Sequence, residues 1–178
     1  MSNKSRIGNH AKVRRGASPR PIGDSQYFGG SVGWVRISDV TSAGKYLRKT
    51  EQYVSPLGES LSVRVNPGDL IMSICATIGR PVIIDMPACI HDGFVQFYDV
   101  KNDDKEYMYY VLQYHEKDLE SKGQPGTQLN LNTTIVENFE AFFPSLSEQR
   151  KIARILTSID TVIERTSAAI EKYKSIKA

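Results

Sequence analysis

The side chains able to do covalent or metal chemistry are few and scattered. His10, His91 and His115 stand far apart, and Cys89 two residues before His91 is too little to define a nucleophile and its base. Cys75 and Cys89 are too few and too widely spaced for a zinc site and read as core residues of a reducing compartment. A metal-dependent nuclease needs clustered carboxylates with a lysine on adjacent strands, whereas the acids near Lys105 lie in a segment leading to a surface helix. Asn66-Pro67-Gly68-Asp69 lacks the second proline and the aromatic of an amino-methyltransferase motif, and no phosphate-binding Gly-x-x-x-x-Gly-Lys run is present. No catalytic residue and no metal ligand is expected.

What remains is charge and hydrogen bonding. The 178 residues carry a net charge of +3, unevenly spread. Lys4, Arg6, Lys12, Arg14, Arg15 and Arg20 crowd the first twenty residues, which hold no acid. The middle is acidic, with Asp99, Asp103, Asp104, Glu106, Glu116, Asp118 and Glu120 predicting one strongly negative face. If the chain binds nucleic acid, the contact must run through the basic N-terminal arm and a cluster at Lys45, Arg48 and Lys49. The same clusters also fit a merely solvated surface.

Hydropathy patterning places these groups. Lys12 to Asp24, with Gly16, Pro19, Pro21 and Gly23, reads as an arm or loop. Strands are predicted at Trp34–Ile37, Ser62–Val65, Leu70–Ile74, Pro81–Ile84, Gly93–Tyr98 and Phe139–Phe143, with Asn66-Pro67-Gly68-Asp69 as a tight turn between two of them. Trp34 reads as core. Glu106 to Glu120 has a helical pattern, and Lys122 to Asn132 is a loop rich in Gly, Gln, Thr and Asn. No apolar run approaches the ~20 residues of a membrane span, and the polar, basic start does not resemble a signal peptide. A cytoplasmic protein is expected.

From residue 146 the pattern changes. Ile152, Ile155, Ile159, Val162, Thr166, Ala169, Tyr173 and Ile176 recur at alternating spacings of three and four between charged residues. Ser145 and Glu148 predict a capping-box start, and Leu156, Ile163 and Ile170 widen the stripe. A helix cannot bury such a stripe on itself, so a second long helix is required. The fold class is therefore α+β: a mixed, strand-dominated domain over 1–145 followed by a long coiled-coil helix over 146–178.

Five segments in order carry a resemblance. They are Gly33-Trp34-Val35-Arg36-Ile37-Ser38-Asp39-Val40, Pro67-Gly68-Asp69-Leu70-Ile71-Met72-Ser73, Thr77-Ile78-Gly79-Arg80, Gly126-Thr127-Gln128-Leu129-Asn130-Leu131-Asn132, and Phe143-Pro144-Ser145-Leu146-Ser147-Glu148-Gln149-Arg150-Lys151-Ile152-Ala153. Together with the heptad helix, they make nearly the whole chain resemble the specificity subunits of type I restriction-modification systems. The resemblance implies a target recognition domain joined to a spacer helix. The family as a rule has two of each in one polypeptide, its helices antiparallel. One of each here implies either a half-subunit that dimerises or a segment of a longer chain.

The resemblance further implies double-stranded DNA as ligand, with methylation and cleavage on separate subunits. S-adenosylmethionine, ATP and magnesium would be held by the modification and motor subunits and not by this chain. Lys12, Arg14, Arg15, Arg20, Lys45, Arg48 and Lys49 are then candidate phosphate contacts. Lys122, Gln124, Thr127, Gln128 and Asn130 form a candidate base-reading loop, since amides suit adenine edges and cations suit guanine. Ile152, Ile155, Ile159, Val162, Ala169, Tyr173 and Ile176 are the helix-pairing set. Two alternatives stay open: a coiled-coil scaffold or adaptor that does not touch DNA, favoured by the acidic middle, and a detached recognition domain of a fused restriction-modification enzyme.

Overall fold

The computed structural model describes residues 4–123 and 131–177. The chain begins with two short strands, β1 (Lys4–Arg6) and β2 (Lys12–Arg15), and continues into β3 (Phe28–Val35), α1 (Ile37–Ser42), β4 (Tyr46–Leu47) and β5 (Gln52–Val54). After α2 (Pro56–Ser60) come β6 (Val63–Val65), β7 (Leu70–Ser73), β8 (Pro81–Ile84), β9 (Ala88–Ile90) and β10 (Phe94–Tyr98). Three helices, α3 (Lys105–Tyr114), α4 (Glu116–Ser121) and α5 (Thr133–Asn138), lead through β11 (Glu140–Phe142) to α6 (Leu146–Lys177). The mixed, strand-dominated architecture and the long C-terminal helix agree with the sequence.

Two sheets hold the domain. One has five strands in the order β2-β10-β7-β8-β4, the other four in the order β5-β3-β9-β6. Val35, Val65, Ile71, Val82, Ile84, Ile90 and Phe94 pack between them. Leu70, Met72, Val95 and Phe97 point the other way, onto Met108 and Leu112 of α3. Both faces of the five-stranded sheet are thus covered, which is why its central strands read as unbroken apolar runs rather than alternating ones. The third sheet, β1 with β11, ties the start of the chain to the strand that precedes α6.

The turn at Asn66–Asp69 forms as expected, with Asp69 N donating to Asn66 O at 3.0 Å and Gly68 at φ +87°. It does not join a hairpin. β6 pairs with β9 and β7 with β8 and β10, so the turn carries the chain from one sheet to the other. The helical stretch from Glu106 breaks at His115 into two helices, and α5 occupies the interval between the predicted loop and the last strand, where the sequence pattern marks no element.

Gly79 lies between β7 and β8 at φ +84°, and a Cβ there would sit 2.9 Å from the Glu116 carbonyl oxygen of α4. The left-handed backbone alone costs a non-glycine residue about 1–2 kcal/mol. Gly79→Ala is accordingly expected to lower unfolding stability by at least that much, read as a drop in the urea midpoint at unchanged slope.

Candidate nucleic-acid interface

The long helix has two working faces. Its start is a reciprocal cap: Ser145 N donates to Glu148 Oε2 at 3.1 Å, and Glu148 N donates to Ser145 Oγ at 3.4 Å. Gln149, only 1% exposed, then fastens the helix to the domain. Its Nε2 donates to Asp103 Oδ1 at 2.7 Å and to Pro144 O at 3.0 Å, while its Oε1 accepts from Asp104 N at 2.9 Å. One turn on, Ala153 is buried, and Leu156 packs against the domain core instead of widening the free stripe.

The opposite face is largely uncovered among the described residues. Ile155 is 61% exposed, Ile159 49% and Val162 62%, with Tyr173 and Ile176 barer still and Ile152 at the edge of the contact. Ala169 is exposed too. The heptad seam therefore faces outward along its length.

The basic N-terminal segment is not a loose arm. β2 is an edge strand paired antiparallel with β10, because Ala11 and Val13 are needed in the core and bring Lys12 between them, and Arg14 and Arg15 after them, into register. Arg14 Nε donates to the buried Gln96 Oε1 at 2.7 Å and its Nη2 to Arg64 O at 3.4 Å. Arg15 Nε donates to Asp92 O at 2.6 Å, and Arg20 Nη2 pairs with Asp92 Oδ2 at 3.1 Å. Lys12 pairs with Asp99 at 2.7 Å, an interaction that raises the lysine pKa and lowers that of the acid. All four basic groups remain at the surface.

Lys45 departs from expectation. Its side chain is 3% exposed, so it cannot serve as a phosphate contact in this fold. Nζ donates to Glu106 Oε2 at 2.8 Å and Thr157 Oγ1 at 2.7 Å, and it lies 4.6 Å from the Tyr110 ring centre. Arg48 and Lys49 stay exposed, with Arg48 paired to Asp85 at 3.2 Å. Of the amide-rich loop, Lys122 is exposed at the end of α4, whereas Gln124, Thr127, Gln128 and Asn130 lie outside the described residues.

Several of the acids predicted to form a negative face are engaged within the domain. Asp103 accepts from His10 and Gln149, Glu106 from Lys45, Tyr46 and Thr157, Glu116 pairs with Arg80, and Asp118 with His115. Glu106 holds α3 to β4 and α6, and Asp103 holds the start of α6 to the domain. Such pairing weakens the charge argument for a scaffold.

Sheet register reveals a feature that local sequence does not. Gln52 of β5, Trp34 of β3, Cys89 of β9 and Arg64 of β6 are direct neighbours across the four-stranded sheet, so their side chains share its outer face. Over the Gln52–Trp34 end of this row lies an open cleft of about 640 Å³, walled by residues of the 18–29 segment, by Arg36 at the start of α1 and by His91. Trp34 is 6% exposed and forms the floor, with Phe28 edge-on at 6.3 Å. Burial lowers the His91 pKa, against the pull of Asp92. Burial also pushes the Cys89 thiol up to about 11, so it stays protonated.

Asp92 joins cleft and basic strand. It accepts from Ser18 Oγ at 2.7 Å and from Arg20, and although burial opposes it, these partners hold its carboxyl below the ordinary range. Arg15 and Arg20 are thereby tethered at Asp92, the neighbour of the cleft-lining His91. The array offers cations, the Gln52 amide and an aromatic floor; among the described residues no three His, Cys, Asp or Glu are grouped to hold a metal.

Comparison with known proteins agrees with this build. The chain is 26% identical over 159 residues to the type I restriction enzyme MjaIX specificity subunit of Methanocaldococcus jannaschii, covering 85% of this chain and 36% of that protein. It is 29% identical over 163 residues to the MjaVIII specificity subunit of the same organism, covering 82% and 34%. It thus spans about a third of either relative. The HsdS subunit from Thermoanaerobacter tengcongensis has the same fold, with a TM-score of 0.71 at 19% identity over 93% of this chain and 39% of that one. The family model for the type I restriction modification DNA specificity domain matches residues 2–172, taking in the two sheets, the arginine-bearing edge strand and most of the outward-facing helix, and the chain belongs to that family.

Proposed function

We propose that this chain binds double-stranded DNA as a target recognition unit of a type I restriction-modification complex and directs methylation and cleavage carried out by other subunits. The observation that carries the reading is the match of the family model across both the domain and the helix. In this reading the chain is not itself catalytic. S-adenosylmethionine, ATP and magnesium belong to the modification and motor subunits, and the complex works in the cytoplasm. The outward seam of α6 pairs with a second such helix, from another copy or from a second recognition half.

Arg14, Arg15 and Arg20, ordered on and beside the edge strand, supply phosphate contacts, with Lys12, Arg48 and Lys49 further out. Lys122, Gln124, Thr127, Gln128 and Asn130 contribute to reading bases. The test is a titration of the full chain with random-sequence duplex across a salt series. Arg14→Gln combined with Arg15→Gln is expected to weaken binding to all duplexes alike and to flatten the slope of log K against log salt by about 2, close to 0.9 per lost phosphate contact. An unaltered slope would remove these arginines from the interface. No binding at low salt by the unaltered chain would defeat the DNA reading itself.

A further inference from the structure

We propose that the cleft on the outer face of the four-stranded sheet is a base-reading site, in which Arg36 and Gln52 contact base edges of duplex DNA. The inference rests on the DNA reading above and adds to it a specificity-determining surface separate from the amide-rich loop.

Three observations place it there. The register sets Gln52 of β5 directly beside Trp34 of β3, and both line the cleft with Arg36, so an amide stands next to an aromatic floor on a rigid sheet. A side chain that reads a base must be held within a fraction of an ångström, and strands do this better than loops. Arg36 is fixed in the same way: Asp39, buried in α1, accepts from Arg36 N at 2.8 Å and from Glu51 N at 3.1 Å, which locks the strand-to-helix corner beside Gln52.

Second, among the described residues the functional ends of both side chains have no hydrogen-bond partner. Both side chains are exposed, and the nearest acid to Arg36 is Glu51, at the limiting distance of 4.0 Å. An amide and a guanidinium so placed are the two groups that bind bidentately to adenine N6/N7 and guanine O6/N7.

Third, the charge around the cleft is complementary to a polyanion. Arg15 and Arg20 are tethered to Asp92, whose other carboxylate oxygen accepts from Ser18 in the cleft wall. Phosphates held there would bring the adjoining base edges over the cleft. Such division of labour, with phosphate contacts fixing the register and base contacts supplying the sequence, is how protein–DNA interfaces are organised.

The experiment selects from a randomised duplex pool with the full chain and with Arg36→Ala and Gln52→Ala, sequencing the bound fraction. Neither substitution touches the core, and the Arg36 contact to Asp39 is made by the backbone, so both variants are expected to fold. Each is expected to lose preference at one or two positions of the selected site, roughly 5- to 150-fold in discrimination, while affinity for the unselected pool changes less than about two-fold. Both variants selecting the same site as the unaltered chain with equal preference would overturn this proposal and leave the DNA reading standing. An unaltered chain that selects no sequence at all would overturn both.

Discussion

A chain carrying Ile155→Asp, Ile159→Asp and Val162→Asp is expected to sediment as a folded monomer under conditions where the unaltered chain associates, at roughly tens of micromolar. The three side chains are between 49% and 62% exposed, so replacing them removes little packing inside the domain. Surface changes of this kind usually move stability by less than about 0.5 kcal/mol, and the unfolding midpoint should hardly shift. Association is another matter. Burying each of these side chains against a partner helix contributes about 1.5–3 kcal/mol, and an unpaired carboxylate in the seam opposes it outright, so the triple change should weaken pairing by roughly 10³-fold or more. The measurement is sedimentation equilibrium of both proteins. If the unaltered chain is itself monomeric at that concentration, the stripe does not pair two copies, and the helix of a second recognition half is the partner instead.

Why that helix was legible from sequence while much else was not follows from how far apart the determining residues lie. The heptad and the Ser145–Glu148 cap are local patterns, read within one or two turns. The strands Leu70–Ser73, Pro81–Ile84 and Phe94–Tyr98 were equally plain, because a sheet covered on both faces writes continuous apolar runs. What failed was everything set by pairing at a distance. β2 looked like an arm because its glycine- and proline-rich surroundings signal a loop, yet its partner β10 lies some eighty residues on. β5 and β9 are only three residues long, too short to show alternation. The row that brings Gln52, Trp34, Cys89 and Arg64 together is a matter of register among four strands. Nothing near Gln52 in the sequence marks it. Lys45 was misplaced for the same reason, since its partners are 61 and 112 residues away.

Lys45 also carries the other large effect. It sits where β4 meets α3 and α6, and its ammonium binds Glu106 and Thr157 while Tyr110 donates to Asp160 at 2.6 Å. This cluster and Gln149 fix the direction in which the helix leaves the domain. Lys45→Ala would leave a cavity and strip Glu106 of its cationic partner, so a loss of about 2–4 kcal/mol is expected in the urea-derived stability at neutral pH. Lys45→Met, which refills the volume without the charge, should recover part of it.

The pH dependence separates the charge from the packing. Burial alone would push the Glu106 carboxyl up, but hydrogen bonds from Lys45, Tyr46 and Thr157 outweigh it and hold the group below its ordinary 4.5. A depressed acid stabilises the fold above its unfolded value, and that contribution is lost as pH falls through the lower, folded one. With Lys45 gone the depression shrinks while the burial stays. The fall in stability below pH 4.5 should therefore be shallower in both variants than in the unaltered chain. Equal acid slopes in all three proteins would mean that the ammonium does not hold Glu106 ionised.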